Sequence, residues 1–192
     1  MLTIINCSPK QNSNSKSFIN RTIKYIDDDF SIFNVYKDHF DTIIGFINKS
    51  DKVLIVYPLY VDTIPSKLIE FFEYLINNHI SLYNKKIYVL CNCGFLEAKQ
   101  NDVSTQIVSN IVTELNGNYK GYFKIGSGEI LGNLNNILMK ILCFDYYYKS
   151  KRFSKCINKG KNAKVSCTLN IFSKKLFCFL GNIFWKKKCL NK

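Results

Sequence analysis

The residues best suited to chemistry lie near the start of the chain. Leu2 to Phe18 reads LTIINCSPKQNSNSKSF: a short apolar run, a loop crowded with Ser, Asn and Pro, then Ser15 and Lys16 opening a helical pattern. Leu2, Ile4 and Ile5 can bury in a sheet, while Ser8, Ser13, Asn14 and Ser15 supply hydroxyls and backbone N–H groups at the positive end of the following helix. Such a turn can cradle a phosphate. It lacks the Gly-Lys-Ser/Thr ending with which triphosphatases reach Mg²⁺, and it is not G-x-G-x-x-G, so a single phosphomonoester suits it better than ATP or a dinucleotide. A merely capped helix would carry the same residue types, so this loop does not decide the matter alone.

The elements that must position this loop follow from periodicity. Phe18, Ile19, Ile23 and Ile26 share one helical face, and the Asp27–Asp29 run ends that helix before a second strand at Ile32 to Tyr36. Asp41 is placed to cap a short helix through Ile43, Ile44, Phe46 and Ile47. Val53 to Tyr57 is a continuous apolar run of the kind buried on both faces of a parallel sheet, stopped by Pro58. Pro65 suits a first helical turn, with Leu68, Ile69, Phe72, Leu75 and Ile76 following at helical spacing. Ile87 to Cys91 reads as the fourth strand and Tyr122 to Ile125 as the fifth. Between them Val103, Ile107, Val108, Ile111, Val112 and Leu115 form a helical stripe that closes at Asn116 and Gly117. Strands alternating with helices predict an α/β three-layer sandwich around a five-stranded parallel sheet in the order 2-1-3-4-5. Ligands then bind beyond the strand carboxyl ends, at the switch point where strands one and three meet.

Length and composition set bounds. The 192 residues suffice for one well-buried domain with an appendage. No leader pattern and no run of about 18 apolar residues occurs, which predicts a cytoplasmic protein. Eight cysteines fit no Cys-x-x-Cys spacing, so free thiols are expected, and the eleven-residue recurrence of Cys156, Cys167, Cys178 and Cys189 reads as coincidence. No metal site is expected. The net charge of +13 is matched by the thirteen Lys and Arg that follow Tyr148, a stretch without one acidic residue. The excess therefore belongs to an appendage, and the body before it is close to neutral.

Two further stretches join the first loop. Val56-Tyr57-Pro58-Leu59-Tyr60-Val61-Asp62-Thr63-Ile64-Pro65-Ser66-Lys67-Leu68 resembles the Pro-x-Tyr…Pro-x-x-Leu segment of flavodoxin-like NAD(P)H-dependent FMN and quinone reductases. Asn6-Cys7-Ser8-Pro9-Lys10…Ser13-Asn14-Ser15 resembles that family's phosphate loop, and Asn92-Cys93-Gly94-Phe95-Leu96-Glu97 its loop after strand four. The resemblance covers Met1 to about Gly128. It implies that Ser8, Lys10, Ser13, Asn14 and Ser15 hold an FMN phosphate, and that Pro58, Leu59, Tyr60, Val61 and Asp62 pass along the flavin ring. Asn92, Cys93, Gly94 and Phe95 would close its pyrimidine side. Two prolines would stiffen the second loop so that its amides stay aimed at the flavin edge where charge accumulates. Cys7 stands where the family commonly has Gly, and the third loop has one Gly where many members have more. No side chain is expected to act as acid or base, because the flavin carries the chemistry. His39 and His79 lie outside all three loops.

The resemblance thus implies a flavodoxin-like FMN-binding domain over residues 1–145 and a basic, aromatic-rich extension over 146–192. It implies FMN as the cofactor, NADH or NADPH as the electron donor and a quinone, nitroaromatic or free flavin as the acceptor; the alternative is a non-enzymatic flavodoxin-type electron carrier or a flavin-linked binding or sensing protein. The family's members are commonly dimers, so a homodimer is expected. Gly126-Ser127-Gly128-Glu129 could border the substrate side. A further helix is expected through Leu134, Ile137, Leu138, Ile141 and Leu142. In the extension, Phe172, Leu176, Phe179, Leu180 and Ile183 recur at helical spacing between lysines. Packing of this stripe on its own domain or a second subunit is favoured over a membrane surface or nucleic acid.

Overall fold

The computed structural model describes residues 1–133 and 144–168, with Asn182 and Lys186 beyond them. The expected helix at Leu134–Leu142 and the stripe from Phe172 lie outside the described residues. Within them the order is β1 (Leu2–Asn6), α1 (Asn14–Thr22), β2 (Phe30–Asn34), α2 (Phe40–Lys49), β3 (Lys52–Pro58), α3 (Ser66–Asn77), β4 (Lys86–Asn92) and α4 (Asp102–Glu114). Then come β5 (Asn118–Ile125), α5 (Gly128–Asn133), α6 (Phe144–Asn158) and β6 (Ala163–Cys167).

The sheet is parallel throughout, but it has six strands in the order β2-β1-β3-β4-β5-β6 where five were expected. Residues 146–167, assigned from sequence to the extension, contribute most of α6 and all of this edge strand. The sixth strand escapes a sequence reading because only Ala163, Val165 and Cys167 turn inward, while Lys164 and Ser166 face out in a lysine-rich context. Such modest alternation is what an edge strand needs. Gly121 admits it: φ there is +120°, and a Cβ would sit 1.9 Å from the Ala163 carbonyl oxygen.

Strand alternation divides the core. Val53, Ile55 and Tyr57 of β3 face α2, α3 and α4, in a cluster with Ile43, Leu68, Phe72 and Val112. Leu54 and Val56 face the other way, into a cluster with Phe18 of α1, Leu131 of α5, and Tyr146 and Phe153 of α6. Asp41 does not cap α2. His39 holds that position, and Asp41 lies in the first turn, accepting a hydrogen bond from the Tyr74 hydroxyl at 2.7 Å. Of the α4 stripe, Val108 and Val112 are buried with Ser104 and Thr105, whereas Val103 is exposed. The helix does close as expected at Asn116, with φ +60° and the Gly117 amide donating to the Val112 carbonyl at 2.8 Å.

Candidate functional site

The chain reverses its direction of travel across the sheet at β1, so the loops after β1 and β3 meet where the neighbouring crossovers go to opposite faces. The loop after β4 joins them at the same edge. One side chain ties all three. Asn92, at the end of β4 and almost wholly buried, donates through Nδ2 to Ser15 Oγ at 3.0 Å and to the Tyr57 carbonyl at 3.3 Å, while its own carbonyl accepts from the Leu59 amide at 2.8 Å.

In the first loop Ser13 is the N-cap of α1, its hydroxyl oxygen accepting from the Lys16 amide at 3.1 Å. Ser8 is buried, its amide donating to Asn6 Oδ1 at 3.1 Å and its carbonyl accepting from Asn34 Nδ2 at 3.3 Å. The hydroxyl oxygens of Ser13 and Ser15 thus hold the loop together, and each keeps only its O–H to offer outward. The Asn14 and Ser15 amides meet no acceptor among the described residues. They form the first turn of α1, where a phosphate is favoured by both the free donors and the helix dipole. Gly132 of α5 packs against Asn14, so closely that a Cβ there would lie 2.6 Å from the Asn14 Cβ. Cys7 has no positive φ, so its replacing Gly creates no strain. Lys10 is exposed.

The second loop is a tight hairpin. The Tyr60 amide donates to the Thr63 carbonyl at 3.1 Å and the Thr63 amide to the Tyr60 carbonyl at 3.0 Å. Val61 and Asp62 between them both take positive φ, +47° and +58°, as a type I′ turn requires. For a β-branched residue this is strained backbone. Val61 is 97% exposed, and the Val61 and Asp62 amides meet no acceptor among the described residues. Pro58 and Leu59 are half-buried behind the turn. The Tyr60 phenol lies between Ser8 and Tyr36; burial and the neighbouring Tyr36 raise its pKa against the opposing effect of the Ser8 hydroxyl.

In the third loop Cys93 is buried, with Sγ 3.7 Å from the carbonyl oxygens of Phe95, Glu97 and Ile125 and accepting from Asn101 Nδ2 at 3.3 Å. Burial pushes its thiol up, so it stays protonated and unreactive at neutral pH. Gly94 and Phe95 are exposed, and a Cβ on Gly94 would meet nothing within 4 Å. The loop after β5 closes in behind: Ser127 donates its amide to the Phe95 carbonyl at 2.5 Å, has φ +54°, and buries a hydroxyl that meets no partner among the described residues.

The sequence reading missed Asn6, Asn34 and Asn101. The first two were detectable as polar residues ending apolar strands; Asn101 gave no signal, because its importance comes from contacts with Cys93 and Ile125 that are distant in sequence or depend on the loop's course.

No protein-family model matches the sequence, and the curated proteins contain no significant match. Solved structures do. The Trp repressor binding protein of Bacillus subtilis is similar with a TM-score of 0.64 and 15% identity, over 79% of this chain and 96% of that one. The FMN-dependent NADH-azoreductase of Bacillus anthracis, solved with FMN, gives 0.60 and 15%, over 82% and 99%. The NAD(P)H:quinone oxidoreductase of Methanothermobacter marburgensis gives 0.59 and 13%, over 81% and 94%. The chain has the flavodoxin-like fold, and its structural neighbours include flavodoxin-like NAD(P)H-dependent FMN reductases, as the three loop motifs implied.

Proposed function

We propose that this chain binds FMN at the three loops and passes electrons from NADH or NADPH to a small acceptor such as a quinone, a nitroaromatic or a free flavin. The observation that carries the reading is the set of three loops joined through Asn92, each leaving two consecutive amides without an acceptor among the described residues: Asn14 and Ser15, Val61 and Asp62, Gly94 and Phe95. A ligand with one phosphate and a flat, acceptor-rich head fits that donor set, and buried Ser8, Ser13 and Ser15, bonded to Asn6 and Asn34, to the Lys16 amide and to Asn92 respectively, fix the phosphate end in advance.

When bound, the flavin supplies the hydride and electron transfer chemistry. The chain's part is to bind and orient. The first turn of α1 neutralises the phosphate, Lys10 adds a cation beside it, and the stiff hairpin holds the Val61 and Asp62 amides where negative charge develops. Exposed Tyr60 and Phe95 offer flat apolar faces to the ring and the acceptor. On this reading the protein works as a homodimer in the cytoplasm.

Reconstitution tests it. The protein should bind FMN with a perturbed visible spectrum, release FMN and not FAD on denaturation, and oxidise NADH or NADPH with a quinone in steady state. Absence of flavin affinity would overturn the reading. Flavin binding with negligible turnover, but rapid exchange with a protein partner, would replace the enzyme by an electron carrier.

A further inference from the structure

The two edge strands of the sheet are finished differently. In β6, Ala163, Val165 and Cys167 bury while Lys164 and Ser166 face solvent, a charged pattern that discourages a further strand. β2, the other edge strand, reads FSIFN, with no charged residue, no proline and two large apolar side chains, Phe30 and Ile32, exposed at 41% and 44%. Register explains the exposure. Phe30 lies beside Leu2 and Ile32 beside Ile4, so both point to the face that α1 covers, yet neither joins the buried cluster there. Phe33, on the opposite face, packs its ring 4.7 Å from that of Phe46 in α2.

The backbone of β2 is only half used. The Leu2 amide donates to the Asp29 carbonyl at 2.9 Å and the Val35 amide to the Asn6 carbonyl at 3.2 Å, so by strand alternation Ser31 and Phe33 turn their polar groups to β1. The amides and carbonyls of Phe30 and Ile32 then point away from the sheet, where none of the described residues meets them. Asn34 ends this row: its amide donates to Asp38 Oδ2 at 2.6 Å, and its carbonyl accepts from the Lys37 and Asp38 amides, both at 2.9 Å. An open ladder of two residues is left, flanked by two exposed apolar side chains.

We propose that β2 pairs antiparallel with β2 of a second copy, about a two-fold axis at Ser31, joining the two sheets into one. In that register Phe30 of each copy faces Ile32 of the other, and each such pair exchanges two hydrogen bonds, so every open group is used. Moving the axis to Ile32 sets Phe30 against Asn34, whose amide and carbonyl are already taken. The four apolar side chains then lie together on one face, as aromatic–aliphatic contacts across the strands. Exposed Asp27 precedes the strand and exposed Lys37 follows it, so antiparallel copies bring flanks of opposite charge together. Hydrogen bonds, apolar contacts and charge all match under one two-fold rotation, which selects a second copy over an unrelated strand. This gives the homodimer proposed above its interface without resting on the flavin. The carboxyl ends of the two sheets point in opposite directions, so each candidate site is built from one chain.

Sedimentation velocity of the full chain at micromolar concentration should show a dimer. Ile32→Lys, at an exposed position whose amide takes no part in the ladder with β1, should sediment as a monomer with the parent's melting temperature. Ser31→Cys gives a second test that does not depend on the lysine variant's folding. Directly opposite residues that exchange no hydrogen bond lie about 4.5 Å apart at Cα, within disulfide reach, so mild oxidation should link two copies through this cysteine. The parent, with its own eight cysteines, and Lys164→Cys on β6 should link more slowly by at least tenfold. A monomeric parent overturns the proposal, as does a dimer that survives Ile32→Lys, or Ser31→Cys linking no faster than either control. None of these readouts needs flavin, so failure of the FMN reading, seen by titration, is distinguishable from failure of this one.

Discussion

The loops after β1 and β3 sit side by side at one edge of the sheet and treat their polar groups in opposite ways. The first uses its side chains inward: Asn6 Oδ1 accepts from the Ser8 amide, Ser13 Oγ from the Lys16 amide and Ser15 Oγ from Asn92, so backbone donors and the two serine O–H groups are left over. The second closes on two backbone hydrogen bonds and holds a β-branched residue at positive φ in full exposure. One is rigid because its bonds are satisfied, the other because its turn is short. The contrast teaches that stiffness at a binding edge has two sources, and that only the second carries stored strain.

The largest effect should come from cutting the tie. Asn92→Leu strands Ser15 Oγ and the Tyr57 carbonyl in a buried setting, and should cost about 2 to 3 kcal/mol in urea denaturation. FMN affinity should fall at least tenfold with it. Full stability and affinity in this variant would show that the loops are positioned independently.

Next comes the strained turn. Val61→Gly relieves a left-handed conformation that costs an L-residue roughly 1 to 2 kcal/mol, against an entropic cost of roughly 0.5 to 1 for glycine, so thermal stability should rise slightly, by no more than about 1 kcal/mol. A loss of stability would mean the Val61 side chain makes contacts that outweigh the strain.

The smallest effect concerns the phenol between the two loops. Because the pKa of Tyr60 is raised in the folded protein, the folded state keeps this proton longer than the unfolded chain does. The stability it contributes is fully present below the unfolded value near 10 and is lost as pH climbs through the folded value. Tyr60→Phe should therefore melt like the parent at pH 7 and gain on it above about pH 10. Parallel melting curves across that range would remove the phenol from the coupling between the loops.

Sequence alone determined the alternation of strands and helices, the order of the first five strands and the three polar loops at their carboxyl ends. Each rests on local information: Val53 to Tyr57 is apolar without interruption, Pro58 cannot continue a ladder, and Ser13 precedes a helical pattern that it caps. What only the tertiary structure decided was set by contacts between distant residues. Ala163–Cys167 is too weakly apolar to announce a strand, and becomes one because Gly121 lets it approach β5. Asp41 looks like a cap until Tyr74, 33 positions away, claims it. Ser13 and Ser15 were legible as polar groups near a helix start, and Ser13's cap is local, but whether the Ser15 oxygen faces a ligand or the loop's own frame depended on Asn92 arriving from β4, 77 positions beyond it, and local spacing carries no record of that meeting.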